Sequence, residues 1–196
     1  MNTTAPRIAP QPLPLPPDLA ERMNRLLPPG FPPPQIFLTV ARHGELFKEM
    51  VDSGLLGPTG LADRRRLAPA LREAVILRTC VAARCDYEFN LHEQTISRRM
   101  GLSDAQIADL RAATPDAALW APELLAVFQL VDGLVQRLEV SDASWAALRQ
   151  HFDEAVLLEM TQLVGHYTGV AMLAALARPA FDRYRQRRVD DRPSAP

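Results

Sequence analysis

The sequence has little cysteine, little net charge and no long hydrophobic run, and each shortage argues against a class of protein. Two cysteines among 196 residues cannot build a disulfide framework. A formal net charge of −1 argues against nucleic acid as a partner, because binding polyphosphate normally needs a basic surface. No apolar run is long enough to span a bilayer, and no basic segment followed by an apolar stretch marks a secretory signal. We therefore expect no membrane partner and a cytoplasmic location with reduced thiols.

Proline, in contrast, is abundant and concentrated at one end of the chain. Residues 1–34 contain 11 of the 18 prolines, a composition that favours extended polyproline conformations and little core. A short helix over about residues 18–27 is expected to interrupt this segment. We predict that residues 1–34 form an arm that packs on its own subunit, packs on a neighbour or binds a proline-reading domain. Residues 35–188 are predicted to form one helical domain, and residues 189–196 a polar tail.

After the arm the hydrophobic pattern is helical almost throughout, and no segment shows sustained β alternation. Residues 54–60, rich in Gly and Pro, are predicted to form a loop that leads into a short segment over 61–66. A Ser103-x-x-Gln106 pattern resembles a capping box and starts one short helix. The other helices are predicted over residues 36–53, 67–83, 86–100, 119–138, 141–152 and 153–176. The predicted fold class is all-α.

Residues 169–177 are apolar on every helical face and rich in small side chains. A helix of that composition has to be covered on all sides. Gly169, Ala171 and Ala174 would permit close approach of a second helix. We therefore predict a homo-oligomer in which this helix and the proline-rich arm contribute to subunit contacts.

Side chains with acid–base or nucleophilic chemistry are concentrated in one pattern, Glu73-x11-Cys85-x2-Glu88-x3-His92. Cys85, Glu88 and His92 share one face of a helix, because they stand at positions i, i+3 and i+7. A thiol, a carboxyl and an imidazole are the groups that attack, donate and accept protons near neutral pH. Because the surrounding sequence is apolar, we predict a polar cluster within the core and take these four residues as candidate catalytic residues.

Glu73 can reach His92 only if the chain turns between them, because nineteen residues of straight helix would span about 30 Å. Asp86 is a good N-cap residue, which favours a turn at residues 83–86. A helical hairpin with that turn would place Glu73 beside His92. It would also place Cys85 at the N-terminus of the second helix, where the helix dipole lowers the pKa of a thiol.

Each candidate also has a purely structural interpretation. Cys85 fits a small buried hydrophobe, Glu88 fits a cap or a partner of Arg84, and His92 fits a core histidine. Glu88 would oppose a thiolate if it is ionised and would act as a proton donor if it is protonated. These alternatives stay open at the level of sequence.

Further titratable residues are weaker candidates. Glu88 and His92 form a helical i, i+4 pair that could bind zinc or iron with Glu73 as a third ligand. No second histidine is in register, however, and no His-Glu-x-x-His signature is present. We therefore predict no metal and no cofactor. Cys80 lies within an apolar helix and is expected in the core, whereas the His166-Tyr167 pair is a candidate for lining a pocket.

Three segments of this sequence together are typical of a known family: LREAVILR at 71–78, CDYEFNLH at 85–92 and GLS at 101–103. They resemble the carboxymuconolactone decarboxylase family, which includes the alkylhydroperoxidase D-like proteins. The Tyr-Glu-aromatic-x-x-His phrase followed by Gly-Leu-Ser is typical of one branch. The resemblance covers most of the chain after about residue 35. It implies an alkylhydroperoxidase D-like helical bundle with a core helical hairpin, assembled as a dimer, trimer or hexamer.

The peroxidase branch of that family carries Glu-x11-Cys-x2-Cys-x3-His, in which two thiols cycle through a disulfide while Glu and His relay protons. Glu73, Cys85 and His92 match this pattern in register, and Glu88 stands where the second, peroxidatic cysteine would be. Cys80 is poorly placed to substitute, because it belongs to the preceding helix. The resemblance therefore implies that the disulfide cycle cannot run here as it does in the family.

The decarboxylase branch acts on a lactone carboxylate in aromatic catabolism. Loss of carbon dioxide leaves charge on the lactone carbonyl, so catalysis needs a donor to that oxygen and an acid for the carbon. The resemblance implies that Glu88 and His92 fill those roles while Glu73 orients His92. The leading prediction is a cofactor-free lyase or isomerase, such as a carboxy-lyase, that acts on a small lactone or carboxylic acid.

Two other functions remain open from the sequence. One is a thiol-dependent alkylhydroperoxidase, a peroxiredoxin-like antioxidant activity through Cys85. The other is a non-catalytic helical oligomer that binds a small ligand or a protein partner. Glu88 in place of a cysteine favours the lyase over the peroxidase.

Overall fold

The computed structural model describes residues 5–57 and 67–184, and over those residues the chain forms nine α-helices and no strand. The all-α prediction is confirmed. The predicted segment 61–66 and the predicted tail 189–196 lie outside the described residues. In chain order the helices are α1 Pro17–Leu26, α2 Gln35–Val40, α3 Gly44–Asp52, α4 Pro69–Ala82, α5 Asp86–Thr95, α6 Asp104–Asp109, α7 Pro122–Arg137, α8 Asp142–Arg149 and α9 Glu154–Ala177.

Helix boundaries follow from local capping. The predicted capping box at Ser103 is present, with Gln106 N–H donating to the Ser103 hydroxyl and the Gln106 side chain accepting from Ser103 N–H. The single helix predicted over 36–53 is wrong, since the chain breaks there into α2 and α3. His43 causes the break by capping α3, where its Nδ1 accepts from the backbone N–H of Leu46 at 3.1 Å. The helical pattern of apolar residues continues across His43, so the sequence pattern gave no sign of this break.

α4 lies at the centre of the bundle, where it packs against α5, α7 and α9. Val75, Ile76 and Leu77 are fully buried. Because neighbours surround the helix, its polar residues are buried as well and need partners. Arg78 pairs with Asp132 of α7 and also donates to backbone carbonyls in the segment that follows α6.

The proline-rich arm packs on its own chain. Backbone N–H groups of Arg7 and Gln11 donate to the carbonyls of Ala177 and Leu38, at 2.8 and 2.9 Å. α1 and α3 pack together in a second, smaller hydrophobic cluster. The arm therefore forms a layer against α2 and the end of α9, and the space between this layer and the main bundle holds the site described below.

α9 is buried on one side only. The side through Leu163, Tyr167 and Ala171 is buried, whereas Met172 is 68% exposed and Leu176 is 59% exposed. Within one chain the described elements pack against only one face of residues 169–177. Cover for the other face depends on the predicted homo-oligomer, which stays a prediction. Among the described residues, no helix combines the length and the hydrophobicity that a membrane span requires.

Candidate active site

A tight turn reverses the chain between α4 and α5 and creates the predicted hairpin. Arg84 takes a left-handed backbone conformation with φ of 56°, and Cys85 N–H donates to the carbonyl of Cys80 at 2.7 Å. Cys85, and not Asp86, is the N-cap of α5. The position of the N-cap was thus predicted one residue too late. The reversal itself is as predicted, and it sets Glu73 of α4 opposite His92 of α5.

Glu73 and His92 meet in the interior of the protein. The carboxyl oxygens of Glu73 lie 3.0 and 3.2 Å from Nδ1 of His92, and Glu73 is 0% exposed. The predicted contact is confirmed. Burial raises the pKa of Glu73, but the facing imidazole and the hydrogen bonds from His92 and Ser97 outweigh burial and leave that pKa below its ordinary value. Glu73 is therefore a carboxylate that accepts a hydrogen bond from the Nδ1–H of His92.

Ser97 completes the environment of Glu73, and the sequence analysis did not identify it. Its hydroxyl donates to Oε1 of Glu73 at 2.7 Å, and the residue is fully buried. α5 ends at Thr95, and the turn that follows brings Ser97 back toward α4. The helix had been predicted to continue to residue 100, and a continuous helix would not make that turn. A hydroxyl close to the end of an amphipathic helix is the one signal that the sequence offers.

His92 lies between two carboxyl groups. Its Nδ1 faces Glu73, and its Nε2 lies 3.3 Å from Oε1 of Glu88. Burial by itself lowers the pKa of His92, but Glu73 and Glu88 outweigh burial and raise it to about 10. Both ring nitrogens are therefore protonated at neutral pH, and the imidazolium donates toward a carboxylate on each side.

Glu88 is buried, but only one of its two oxygens has a partner. Oε1 faces His92, whereas Oε2 has no hydrogen-bond partner among the described residues. A buried polar atom without a partner costs about 1–3 kcal/mol, and more when the group is charged. Such an atom in a native site calls for an explanation, and a bound molecule that donates to it is one.

Tyr167 of α9 stands on the same side of His92 as Glu88. Its hydroxyl lies 3.5 Å from Nε2 of His92, and the two rings meet edge to face with centroids 5.4 Å apart. Burial raises the pKa of Tyr167 well above its ordinary value, so its hydroxyl stays neutral. His166 and Tyr167 both line the cavity described below, as the sequence predicted.

Cys85 does not behave as the sequence predicted. The residue caps α5, but it is buried, and burial raises the pKa of its thiol to about 11. The predicted lowering of this pKa by the helix dipole is therefore wrong, because the loss of solvent outweighs the backbone N–H groups. Cys80 is 1% exposed and lies in the core, as expected. Glu88 and His92 line the cavity, whereas Cys85 does not.

The cavity has a volume of about 640 Å³ and lies between the arm, α3, α5 and α9. Most of its wall is apolar, and its polar groups include Glu88, His92, His166 and Tyr167. Arg72 and Arg99 also line it. Among the described residues no group of three His, Cys, Asp or Glu side chains is arranged to bind a metal ion. The carboxyl, imidazole and phenol groups at this wall can transfer protons and form hydrogen bonds.

Comparison with known proteins supports the resemblance seen in the sequence. Residues 58–132 match the model of the carboxymuconolactone decarboxylase family, a range that includes all four candidate residues. A crystal structure of an alkylhydroperoxidase AhpD core, an uncharacterized peroxidase-related protein from Ralstonia eutropha JMP134, superposes with a TM-score of 0.73. The match covers 91% of this chain and 94% of that chain at 20% sequence identity, so it establishes a shared fold. No protein of curated function matches the chain.

Proposed function

The chain is similar to the carboxymuconolactone decarboxylase family over residues 58–132 and has the alkylhydroperoxidase D-like fold, and from that premise we propose a cofactor-free lyase or isomerase. It would act on a small lactone or carboxylic acid by acid–base chemistry. The observation that carries this proposal is the buried row Glu73–His92–Glu88, whose outer carboxyl group lines the cavity. A carboxylate and an imidazolium side by side offer a base and an acid at one wall.

Each residue in the row has a distinct task in this proposal. Decarboxylation of a lactone acid leaves the electron pair of the broken C–C bond on the lactone carbonyl, as an enolate. The hydroxyl of Tyr167 would donate to that oxygen, which leaves the Nε2–H of His92 available to protonate the carbon. Their mutual distance of 3.5 Å is long for a hydrogen bond, which leaves both groups able to turn toward a substrate.

Return of a proton to the carbon completes the reaction. His92 would supply this proton from Nε2 and regain one from solvent, while Glu88 would hold the substrate or accept a proton in an isomerisation. Glu73, held by Ser97, keeps Nδ1 protonated and fixes the ring orientation. Glu73 is thus a positioning residue, and Glu88 and His92 are the proposed catalytic residues.

Thiol-dependent peroxidase chemistry receives less support. Cys85 is a buried thiol whose pKa is raised to about 11, so little thiolate exists at neutral pH. The position of a second thiol is taken by Glu88, and Cys80 is enclosed in the core. Cys85 would therefore contribute packing at the hairpin turn, where it caps α5.

We further propose that the protein is a cytoplasmic homo-oligomer. The oligomer is supported by the exposed apolar face of α9, which includes Leu158, Met172 and Leu176. A monomer would leave these side chains in water, whereas a second subunit would bury them. The cytoplasmic location is supported by two free cysteines, Cys80 and Cys85.

The proposal is tested by screening lactone acids for carbon dioxide release or for isomerisation seen by NMR. Wild type should turn over at least one member of the panel, and Glu88→Gln should not. Glu49→Gln is the matched control, because Glu49 is an exposed residue of α3 outside the cavity. Peroxide consumption that depends on Cys85, with no turnover of any lactone acid, would replace this proposal with the thiol peroxidase.

A further inference from the structure

The cavity is larger and more apolar than a small charged acid requires. Its volume of about 640 Å³ lies within the range of roughly 300–1,000 Å³ that is typical of pockets for drug-sized ligands. Apolar side chains from the arm, from α2, from α5 and from α9 form most of its wall. Representative wall residues are Leu26, Leu27, Phe31, Phe37, Leu91 and Leu173.

The arm contributes several side chains to this apolar wall, among them Leu26, Leu27 and Phe31. Phe31 stacks on Tyr184 with ring centroids 4.7 Å apart, and the Tyr184 hydroxyl donates to the carbonyl of Pro32 at 2.9 Å. These contacts fix the arm where it faces the cavity. The arm lies outside residues 58–132, so the part of the chain that matches the family does not supply this wall.

At the polar part of the wall, one hydrogen-bond acceptor, Oε2 of Glu88, lies without a donor among the described residues. Oε2 of Glu88 is buried and has no partner among the described residues, while Oε1 is engaged by the protonated ring of His92. A molecule that places a hydroxyl at Oε2 would remove the cost of this unpaired atom. A carboxylate placed there would instead lie against the carboxylate of Glu88, in a row whose two carboxylates outnumber the one imidazolium of His92.

Besides the imidazolium of His92, which already faces Glu73 and Glu88, Arg72 and Arg99 are the cavity residues that would favour an anion. Arg72 already has an interaction of its own, and Arg99 is an exposed residue on the turn after α5. Neither relieves the unpaired oxygen of Glu88, because that oxygen remains without a partner with both arginines in place. The buried part of the wall therefore favours a neutral donor.

We infer that the substrate is a predominantly apolar molecule that carries a hydroxyl group. The hydroxyl donates to Oε2 of Glu88, and the apolar body lies between the arm and α9. This inference rests on the proposed function, since it names the substrate class of the same site. It adds that the lactone or acid bears a sizeable hydrocarbon portion, and that the arm selects for that portion.

Matched probes test the inference without any turnover. Binding of 4-pentylphenol, of its methyl ether 4-pentylanisole and of 4-pentylbenzoate is measured by calorimetry on the full-length protein. The phenol should bind about tenfold or more tightly than the ether, because only the phenol can donate to the charged acceptor. It should also bind more tightly than 4-methylphenol, by about fourfold for each added methylene.

The Glu88→Leu variant tests whether the preference for the phenol over the ether comes from the carboxyl group of Glu88. The phenol and the ether should then bind about equally, whereas Glu49→Leu, at an exposed site outside the cavity, should keep the preference. If Glu88→Leu does not fold, as judged by circular dichroism, the wild-type ratio of phenol to ether decides the question alone. Equal wild-type affinities for phenol and ether, or tighter binding of the benzoate than of the phenol, would overturn the inference.

Failure of this inference can be told apart from failure of the proposed function. If the protein binds the phenol more tightly than the ether but turns over no lactone acid, the inferred binding mode is supported and the proposed enzymatic function is not. If the protein turns over lactone acids but binds the phenol and the ether equally, the proposed enzymatic function is supported and the inferred binding mode is not.

Discussion

Glu88 is the residue on which the proposed chemistry depends most. It contacts His92 through one oxygen and lines the cavity, and its other oxygen is unpaired among the described residues. A glutamine at this position keeps the size of the side chain but removes the negative charge and the basic oxygen. The substitution therefore separates packing from acid–base chemistry at a single position.

Turnover should fall by about 100-fold or more in Glu88→Gln and in His92→Ala, the usual range for loss of a general acid or base. Initial rates on the substrate found by screening give the measurement, and circular dichroism shows whether the fold is kept. Glu49→Gln should match wild type. Rates within a few-fold of wild type in folded Glu88→Gln would exclude a catalytic role for this residue.

Cys85→Ser should change turnover by less than about threefold. The thiol is buried, its pKa is raised to about 11, and it does not line the cavity. The same initial-rate assay, run beside a peroxide-consumption assay, makes the comparison. Loss of turnover in Cys85→Ser alone would show that Cys85 takes part in catalysis.

His92 should also make stability depend on pH. Burial lowers its pKa, but Glu73 and Glu88 raise it from an ordinary value of 6.5 to about 10. Because the folded state has the higher pKa, the contribution of His92 is complete below about pH 6.5 and is lost as the pH rises through about 10. Urea denaturation should show the free energy of unfolding falling by a few kcal/mol over that range, relative to His92→Gln. Parallel profiles for the two proteins would contradict the charge assignment.

At the scale of the element, the hairpin of α4 and α5 determines the site. Its turn depends on Arg84 in a left-handed conformation, which costs a residue with a Cβ about 1–2 kcal/mol. Arg84→Gly should therefore stabilise the protein by about 0.5–1 kcal/mol in urea denaturation. Arg42→Gly is the control, because Arg42 lies in an exposed turn at negative φ and should be neutral or destabilised. Equal effects at both positions would show that the turn stores no such strain.

The hairpin also shows how far sequence reasoning reaches. Helical spacing and the turn at residues 83–86 are local properties, so the contact of Glu73 with His92 could be predicted from them. The end of α5 at Thr95 depends on packing against α4, and the position of Ser97 follows from it. For the same reason the sequence could not decide the state of Cys85, because burial is set by the whole bundle and not by the helix that the residue caps.

Apolar composition alone was a less reliable guide to burial. Residues 169–177 are apolar all round, but whether each face is covered depends on elements distant in sequence. The described chain covers the face through Ala171 and Ala174 and leaves Met172 and Leu176 in solvent. The prolines likewise predicted an extended arm that packs on its own subunit or on a neighbour, whereas composition could not predict that the arm forms part of the cavity wall.

At the scale of the whole molecule, the exposed face of α9 makes a prediction about assembly. Sedimentation at micromolar concentration should give the mass of an oligomer for wild type. Met172→Glu combined with Leu176→Glu should yield a smaller species, because a charge buried at an interface without a partner is strongly unfavourable. Leu138→Glu should leave the mass unchanged, since Leu138 is exposed on the loop after α7. A monomeric wild type would defeat the proposed oligomer.

The central claim is that His92 is an imidazolium held between the carboxylates of Glu73 and Glu88. Nitrogen-15 NMR of histidine-labelled protein, with His92→Gln to assign the signal, measures the protonation of this ring directly. The account predicts that His92 is doubly protonated at pH 8 and titrates with a pKa near 10. Glu88→Gln should lower that pKa, because one of the two carboxylates is removed. A neutral His92 ring at pH 8, with a pKa at or below the ordinary 6.5, would contradict the account.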